Sequence, residues 1–251
     1  SAFLEIEGLI EGTSASAAAA RRAYVRVRKS PPIPGSAVAS RPGFLELLST
    51  EYGRVWQLLL QHVGLTLAAV LLAILIAVPS GIAIVSRRRL RHWLLGFAGL
   101  LQTIPSLALL AFLIPFFGLN AWTAIAALFL YALLPILRNT YTGISGVTPD
   151  LVDAARGMGM RPQEVLLHVQ LPLAMPTIMA GIRTATVIGI GVATLAAYIG
   201  AGGLGVLIFD GISLTDTNLI LLGAIPAAAL AVATDMLLGR LEAKMRSPGV
   251  S

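Results

Sequence analysis

The sequence contains no cysteine, and only 12% of its 251 residues are charged. The absence of cysteine excludes disulfides, thiolate chemistry and cysteine-ligated metals. A soluble domain carries about 25% charged residues, whereas this chain is 57% hydrophobic. Because so much apolar surface needs lipid to cover it, the composition predicts an integral membrane protein.

Side chains that could build a catalytic or metal site are also scarce. His62, His92 and His168 lie far apart in the sequence, so we expect no metal site and interpret them as loop or interface residues. No apolar run contains the His/Asp/Glu cluster that a membrane-embedded enzyme would need. No Gly-x-x-x-x-Gly-Lys phosphate loop is present either. The chain is therefore not expected to be an enzyme or to hold a cofactor of its own.

Residues 1–43 differ from the rest of the chain. They contain an alanine run, a basic run and a Pro/Gly/Ser-rich stretch, with no apolar segment long enough to cross a membrane. We expect a flexible or surface-lying tail and no signal peptide. Because the first residue is Ser and not Met, part of this tail is a candidate for a non-native extension. The fold prediction therefore concerns residues 44–246.

Five apolar runs reach the length of about 20 residues that a spanning helix needs. The predicted spans are Val63–Val85, Trp93–Gly118, Leu119–Leu137, Leu173–Ile199 and Leu219–Gly239. An amphipathic stretch, Phe44–Val63, leads to the first of them. The Gly-rich piece Gly200–Phe209 is too short to cross alone, which leaves a re-entrant helix, a surface helix or part of a sixth span. The predicted fold class is an all-α membrane protein with five spans, or six if this piece joins its flanks.

The loops between the spans carry their charge asymmetrically. The first, Ser86–His92, has four arginines, which places it in the cytoplasm by the positive-inside rule. Alternation then places Arg138–Pro172 and the basic C-terminus inside, and the loop Gly200–Asn218 outside. This arrangement predicts an N-terminus outside, although the basic tail does not fit it. The net charge of +6 is thereby explained without nucleic-acid binding.

Two charged residues lie within the predicted spans. Arg183 and Asp235 are costly in lipid and should face protein, water or each other. We hypothesise that they form a structural ion pair near the cytoplasmic side. An ion-coupled carrier would instead need carboxylates at midspan, and Asp235 is alone and near a span end. The candidates for the lining of a translocation path are polar residues: Gln102, Thr103, Ser106, Asn139, Thr184, Thr186 and Thr194.

The longest cytoplasmic loop, Thr148–Pro172, predicts two short helices separated by a glycine break. Asp150 is a candidate cap for the first helix, and Gly157 and Gly159 should end it. Pro162 suits the first turn of the second helix, and the final proline is interpreted as its stop. The small residues in this loop would allow another chain to approach closely.

This loop resembles the EAA motif of ABC-importer permeases, which reads Glu-Ala-Ala, three residues, Gly, nine residues, Ile, one residue, Leu-Pro. The matching residues are Asp153, Ala154, Ala155, Gly159, Val169, Leu171 and Pro172. Every spacing fits, with Asp in place of Glu and Val in place of Ile. The resemblance implies a type I ABC importer permease fold, whose first loop helix is a coupling helix that docks on an ATPase. It assigns ATPase coupling to Asp153, Ala154, Ala155, Gly159, Leu171 and Pro172.

Three further segments resemble the osmoprotectant branch of that family, which serves glycine betaine, choline and carnitine. They are Gln102–Ala108, Leu134–Ile144 and Ala193–Gly205. The resemblance implies ABC ATPase subunits that use ATP and Mg²⁺, a second permease subunit (identical or paralogous) and an extracytoplasmic substrate-binding protein. It also implies the bacterial or archaeal inner membrane. Methionine-importer permeases share parts of this layout, so a permease for methionine or another amino-acid derivative is an alternative, and an ion-coupled carrier is a weaker one.

Overall fold

A computed structural model describes Gly43–Met245, and every regular element in this range is helical, which confirms the all-α prediction. Residues 1–42 of the predicted tail lie outside the described residues. The helices are α1 (Phe44–Ala83), α2 (Arg88–Thr103), α3 (Ser106–Phe117), α4 (Ala121–Ser145), α5 (Pro149–Gly157), α6 (Pro162–Val165), a π-turn (Leu166–Gln170), α7 (Leu171–Ala193), a 3-10 turn (Thr194–Ile199), α8 (Gly205–Leu214) and α9 (Thr217–Met245).

Four helical stretches among the described residues are long and apolar enough to cross a membrane: α1, α4, the stretch Pro162–Ile199 and α9. The predicted span Trp93–Gly118 is not one straight helix, because α2 and α3 meet at a bend of 104°. Pro105 explains the bend. It has no N–H to continue the helix, and the preceding Ile104 has the extended backbone, with ψ of 127°, that residues before proline prefer.

The bent pair α2–α3 follows α4 along its whole length. Three hydrogen bonds mark the path: Arg91 donates to the Tyr141 hydroxyl, Tyr131 donates to the Ile104 carbonyl, and Asn120 donates to the Phe117 carbonyl. Between residues 120 and 141 an α-helix rises about 30 Å, which is the thickness of a bilayer core. The pair is therefore long and apolar enough to count as one broken span, and with it the described residues contain five candidate spans, the number that the sequence predicts.

Helix α1 is longer than a single bilayer crossing needs. Its 40 residues extend about 60 Å, so the predicted amphipathic stretch Phe44–Val63 and the first span form one helix. The N-terminal part of α1 packs against α8 and α9 through Leu58, Leu204 and Leu222. Arg54 also pairs with Asp210 of α8 at 2.7 Å. These contacts hold α8 against the start of the first span.

The core between α1, α4 and α7 depends on small side chains. The buried alanines of one cluster in it are Ala73, Ala77, Ala132 and Ala185. A Cβ atom on Gly81 would lie 2.6 Å from Thr140 Cβ, and one on Gly181 would lie 2.6 Å from Asn139 Cβ. Such close approach gives the dispersion contacts that hold helices together in lipid, where burial of apolar surface provides no drive.

The Gly-rich piece Gly200–Phe209 does not form a sixth span among the described residues. Helix α8 has ten residues and is about 15 Å long, which is too short to cross. Its start is tightly packed, because a Cβ on Gly205 would lie 1.8 Å from the Thr194 carbonyl oxygen. The preceding Gly203 has a φ of +85°, which favours glycine. Of the predicted alternatives, the sixth span is not observed within Gly43–Met245, and a short re-entrant or surface helix is left.

The interpretation of Pro172 as a helix stop is wrong. Pro162–Ile199 is one continuous helical stretch of 38 residues. A proline removes an N–H and clashes with the carbonyl four residues earlier. Here the π-turn Leu166–Gln170 comes just before it, and the Leu171 N–H bonds the carbonyl five residues back. One wider turn therefore accommodates the proline inside the helix.

Candidate coupling and transport site

The predicted coupling helix is α5, which begins at Pro149 and ends at Gly157. Thr148 occupies the N-cap position, and its side chain makes no capping hydrogen bond. The proposed cap, Asp150, lies inside the first turn instead, so that prediction is wrong. Proline at the first helical position needs no N–H partner, and a carboxylate in the first turn favours the helix electrostatically.

Helix α5 ends in a left-handed turn at Gly159, as the sequence predicts. The φ of Gly159 is +85°, and its N–H donates to the Arg156 carbonyl at 2.9 Å. The next N–H, of Met160, donates to the Ala155 carbonyl at 3.2 Å. A Cβ on Gly159 would meet no atom of this chain within 4 Å. The glycine is therefore required by the backbone conformation of the turn and not by crowding.

The two alanines of the motif differ in exposure. Ala155 is 2% exposed and faces this chain, whereas Ala154 is exposed. Leu151, Ala154 and Met158 have the helical spacing i, i+3, i+7, so they form one apolar stripe, and Leu151 and Met158 are 45% and 72% exposed. We call these three residues the α5 stripe. Such a stripe is suited to a groove on a partner protein.

The remaining motif residues lie beside and behind the α5 stripe. Asp153 pairs with Arg156 at 3.5 Å, with the two side chains 72% and 64% exposed, so this pair adds little stability. Leu171 and Pro172 start α7. Pro172 lines a cavity of about 380 Å³ together with Leu151 of α5 and residues of α4, α7 and α9. Coupling by these residues stays a prediction.

The structure brings together the two charged residues of the predicted spans. Arg183 of α7 donates through Nε and Nη2 to the two carboxylate oxygens of Asp235 on α9, both at 2.6 Å. Glu242, two turns further along α9, accepts from Arg183 Nη1 at 3.4 Å. The planar guanidinium matches a carboxylate in this two-bond geometry. The pair therefore ties α7 to α9, while its depth in the membrane stays a prediction.

Gln102 has a structural contact at the bend between α2 and α3. Pro135 has no N–H, which leaves the Tyr131 carbonyl of α4 without its helical donor. The Gln102 Nε2 atom donates to this carbonyl at 3.0 Å. A neighbouring helix thus satisfies the backbone group that the proline releases, as membrane bundles require. The interaction does not decide whether Gln102 also lines a path.

The other predicted path residues are spread over two regions. Thr103 and Ser106 flank the bend, whereas Thr184 and Thr186 lie on α7. Asn139 packs against Gly181 and donates to the Pro135 carbonyl at 2.8 Å. The threonine hydroxyls donate to carbonyls of their own helices at 2.7 to 2.8 Å: Thr103 to Leu100, Thr184 to Ala180, Thr186 to Ile182 and Thr194 to Gly191. Their lining of a path stays a prediction.

His62 is fully buried, so its interpretation as a loop or interface residue is wrong. Its Nδ1 lies 3.3 Å from the Leu204 N–H, which can only donate. Nδ1 is therefore the unprotonated ring nitrogen and accepts this hydrogen bond. Nε2 carries the proton and donates to the Ile190 carbonyl at 3.0 Å. His62 thus joins α1 to α7 and to the start of α8. The signal was its register: Leu58, His62, Leu65, Thr66 and Ala69 recur at helical spacing on the buried face.

We expect His62→Leu to destabilise the fold. The substitution leaves the Ile190 carbonyl and the Leu204 N–H without partners, at a cost of about 1–3 kcal/mol for each group. Thermal unfolding of the purified protein in detergent measures the effect. The control is His168→Leu, since His168 is exposed and surface changes usually stay within about 0.5 kcal/mol. Equal unfolding temperatures for the two variants would contradict the assigned hydrogen bonds.

No group of three or more His, Asp and Glu residues within Gly43–Met245 could hold a metal ion. The arrangement that the structure does offer is a spanning bundle with an exposed helix, α5, joined by a four-residue connection to the 38-residue stretch Pro162–Ile199. A force applied to α5 would therefore reach the bundle through one continuous helix.

The chain is similar to several known transport proteins. It is 49% identical over 185 residues to the carnitine transport permease protein OpuCB of Listeria monocytogenes, covering 74% of this chain and 85% of the relative. It is 45% identical over 206 residues to the choline transport system permease protein OpuBB of Bacillus subtilis, covering 82% and 95%. It is 45% identical to the osmoprotectant import permease protein OsmW of Salmonella typhimurium over 203 residues, covering 79% and 94%.

The fold has counterparts among solved structures. An inward-facing structure of the MetNI methionine ABC transporter matches with a TM-score of 0.69 at 20% identity, over 80% of this chain and 99% of the other. An amino acid ABC transporter crystallised with histidines matches with a TM-score of 0.67 at 19% identity, over 80% and 98%. These likenesses confirm the predicted type I importer permease fold. Residues 56–247 match the family model for the binding-protein-dependent transport system inner membrane component, and the chain belongs to this family of membrane permeases.

Proposed function

We propose that this chain is the membrane-spanning permease subunit of an ATP-driven importer for compatible solutes such as glycine betaine, choline or carnitine. The observation that carries the proposal is the 45–49% identity to permeases of carnitine, choline and osmoprotectant transport over most of both chains. The solved methionine transporter shares only 20% identity, so it supports the fold and not a methionine cargo.

In this proposal α5 is the element that couples transport to ATP. The α5 stripe docks in a groove of an ABC ATPase, which binds ATP and Mg²⁺ and hydrolyses the nucleotide. Closure of the ATPase dimer pulls on α5, and the stretch Pro162–Ile199 carries the movement to the bundle. The exposure of Leu151 and Met158, 45% and 72%, supports the docking, because exposed apolar groups in register are suited to a partner.

The assembly that we propose contains more than this chain. A second permease subunit, identical or paralogous, completes the path, and an extracytoplasmic binding protein delivers the solute. The basic loop Ser86–His92 and α5 lie on the cytoplasmic side of the bacterial or archaeal inner membrane, with the N-terminus outside and the C-terminus inside. The alternation of the five spans and the four arginines of that loop support this orientation.

Competition for uptake tests the cargo. The permease, its partner ATPase and its binding protein are reconstituted together, and uptake of labelled glycine betaine is measured with excess unlabelled choline, carnitine or methionine. We expect at least one of the two trimethylammonium solutes to suppress uptake and methionine to leave it unchanged. Uptake of methionine without uptake of any quaternary ammonium solute would contradict the proposed cargo while leaving the permease assignment intact.

A further inference from the structure

One exposed face of α2 changes from basic to apolar along the helix axis. The exposed residues recur at helical spacing and are Arg88, Arg89, His92, Trp93, Gly96, Phe97 and Leu100. The first three are basic or titratable, and the last three are apolar or lack a side chain. Trp93, between the two groups, is 78% exposed, and Phe97 and Leu100 are 57% and 63% exposed. We call this set the α2 face.

The length of the α2 face corresponds to one leaflet of a bilayer. From residue 88 to residue 100 the helix rises about 18 Å, and half of a bilayer core is about 15 Å thick. Exposed tryptophan is typical of the boundary between head groups and hydrocarbon. The position of Trp93 suits this boundary, because Arg88 and Arg89 precede it at the basic end of α2 and Phe97 and Leu100 follow it at the apolar end.

The basic end of the α2 face has room for an anionic group. Arg88, Arg89, Arg91, His92 and Trp93 line an open cavity of about 620 Å³. A second hollow of about 300 Å³ continues from Arg91 and His92 towards Arg138 of α4. Several positive groups thus converge on one region, so its positive charge does not depend on a single flexible side chain.

The arginines at this end differ in how they are held. Arg91 bonds the Tyr141 hydroxyl and lies over the Tyr141 ring, with its guanidinium carbon 5.2 Å from the ring centre, so it is fixed against α4. No carboxylate within Gly43–Met245 lies within 4 Å of the guanidinium of Arg88 or Arg89. Their charges are therefore available to a ligand.

We propose that an anionic phospholipid binds the α2 face. Its phosphate is held by Arg88 and Arg89, whose guanidinium groups match phosphate oxygens, its glycerol lies beside Trp93, and one acyl chain follows Phe97 and Leu100. A soluble phosphate would leave the apolar part of the face unused, and a cytoplasmic protein would cover only the basic part. The order of charge, tryptophan and apolar residues along one helix matches an amphiphile that stands in the bilayer.

Native mass spectrometry of the purified full chain in detergent tests the proposal. Phosphatidylglycerol and phosphatidylcholine with identical acyl chains are titrated separately. We expect Arg88→Gln with Arg89→Gln to weaken phosphatidylglycerol binding roughly ten- to thirty-fold, because each basic residue near the surface contributes attraction to anionic lipid, and to leave phosphatidylcholine binding unchanged. Arg88→Lys with Arg89→Lys retains the charge, and most of the binding should remain.

A matched control separates this site from general charge attraction. Arg240→Gln with Lys244→Gln removes two exposed positive charges from the end of α9, so phosphatidylglycerol binding should be unaffected. Phe97→Ser should weaken lipid binding several-fold without changing the binding of glycerol phosphate. Equal losses in the α2 and α9 double variants would show adventitious lipid only and overturn the proposal. Binding of glycerol phosphate that is as tight as binding of the lipid would also overturn the proposal. Loss of subunit association in the α2 double variant would overturn it as well.

Discussion

Replacement of Ala154 by tryptophan is expected to abolish ATP-driven uptake while the permease stays folded. Ala154 is the exposed small residue at the centre of the α5 stripe. A bulky ring there would hold α5 out of the ATPase groove, and disruption at the centre of an interface commonly costs about tenfold or more in affinity. Uptake into proteoliposomes and the thermal unfolding of the permease, measured on the same preparation, give the two readouts.

Ala155 provides the matched control, because it is the same residue type one position further along. Ala155 is 2% exposed, so Ala155→Trp should overpack the contact of α5 with the rest of the chain, at a cost of about 1–3 kcal/mol. Ala154→Trp should lose transport at an unchanged unfolding temperature, whereas Ala155→Trp should lower that temperature. Full uptake by Ala154→Trp would show that the α5 stripe is not the docking surface.

The second large effect concerns the pair between α7 and α9. Asp235→Ala removes the two short hydrogen bonds of the Arg183 guanidinium and leaves it only the 3.4 Å contact with Glu242, inside a spanning segment where a poorly paired charge is unfavourable. We expect the amount of folded protein in the membrane to fall several-fold. Fluorescence-detected size-exclusion chromatography of detergent extracts measures this amount directly.

A double variant distinguishes a lost pair from a lost aspartate. Arg183→Leu with Asp235→Leu removes the pair and leaves Glu242 without its contact to Arg183, so folded protein should return part of the way towards the wild-type amount. Asp153→Ala, which breaks the exposed pair with Arg156, should not change it. If the double variant folds and transports, the pair has a structural role. If the double variant is as poor as Asp235→Ala alone, the pairing does not explain the loss.

The five candidate spans could be predicted because each corresponds to a long apolar run with at most one charged residue, and that signal depends only on length and composition. The bend within the second predicted span could not be predicted in this way. Pro105 marks a break, but prolines also occur inside α1, α4 and α9 without a comparable break. Whether a proline kinks or breaks a membrane helix depends on which neighbour satisfies the released carbonyl, as Gln102 does for Tyr131.

The predicted coupling helix α5 was identified from motif spacing and its end from Gly157 and Gly159, whereas its start was wrongly assigned to a cap at Asp150. The exposure of Ala154 and the burial of Ala155 could not be predicted in the same way, because they depend on the angle at which α5 lies against the bundle. The continuation of the helix through Pro172 was also missed. A single π-turn resolves the clash locally, and this has no signature in residue type.

His62 and the Arg183–Asp235 pair differ in how well the sequence predicts their contacts. The pair could be anticipated, because two isolated charges in apolar spans have few partners to choose from. The role of His62 could not, because its partners are backbone groups of Ile190 and Leu204, and every residue offers such groups. Only the three-dimensional arrangement identifies which of them lack a partner.

The most direct test of the account is the energy source for uptake. The permease, its partner ATPase and its binding protein are placed in proteoliposomes, and solute uptake is followed with ATP on the side that α5 faces, with a non-hydrolysable analogue, and with ionophores that remove proton and sodium gradients. The account predicts uptake that requires hydrolysable ATP and is unaffected by the ionophores. Uptake that persists without ATP and stops when the ion gradients are removed would contradict it.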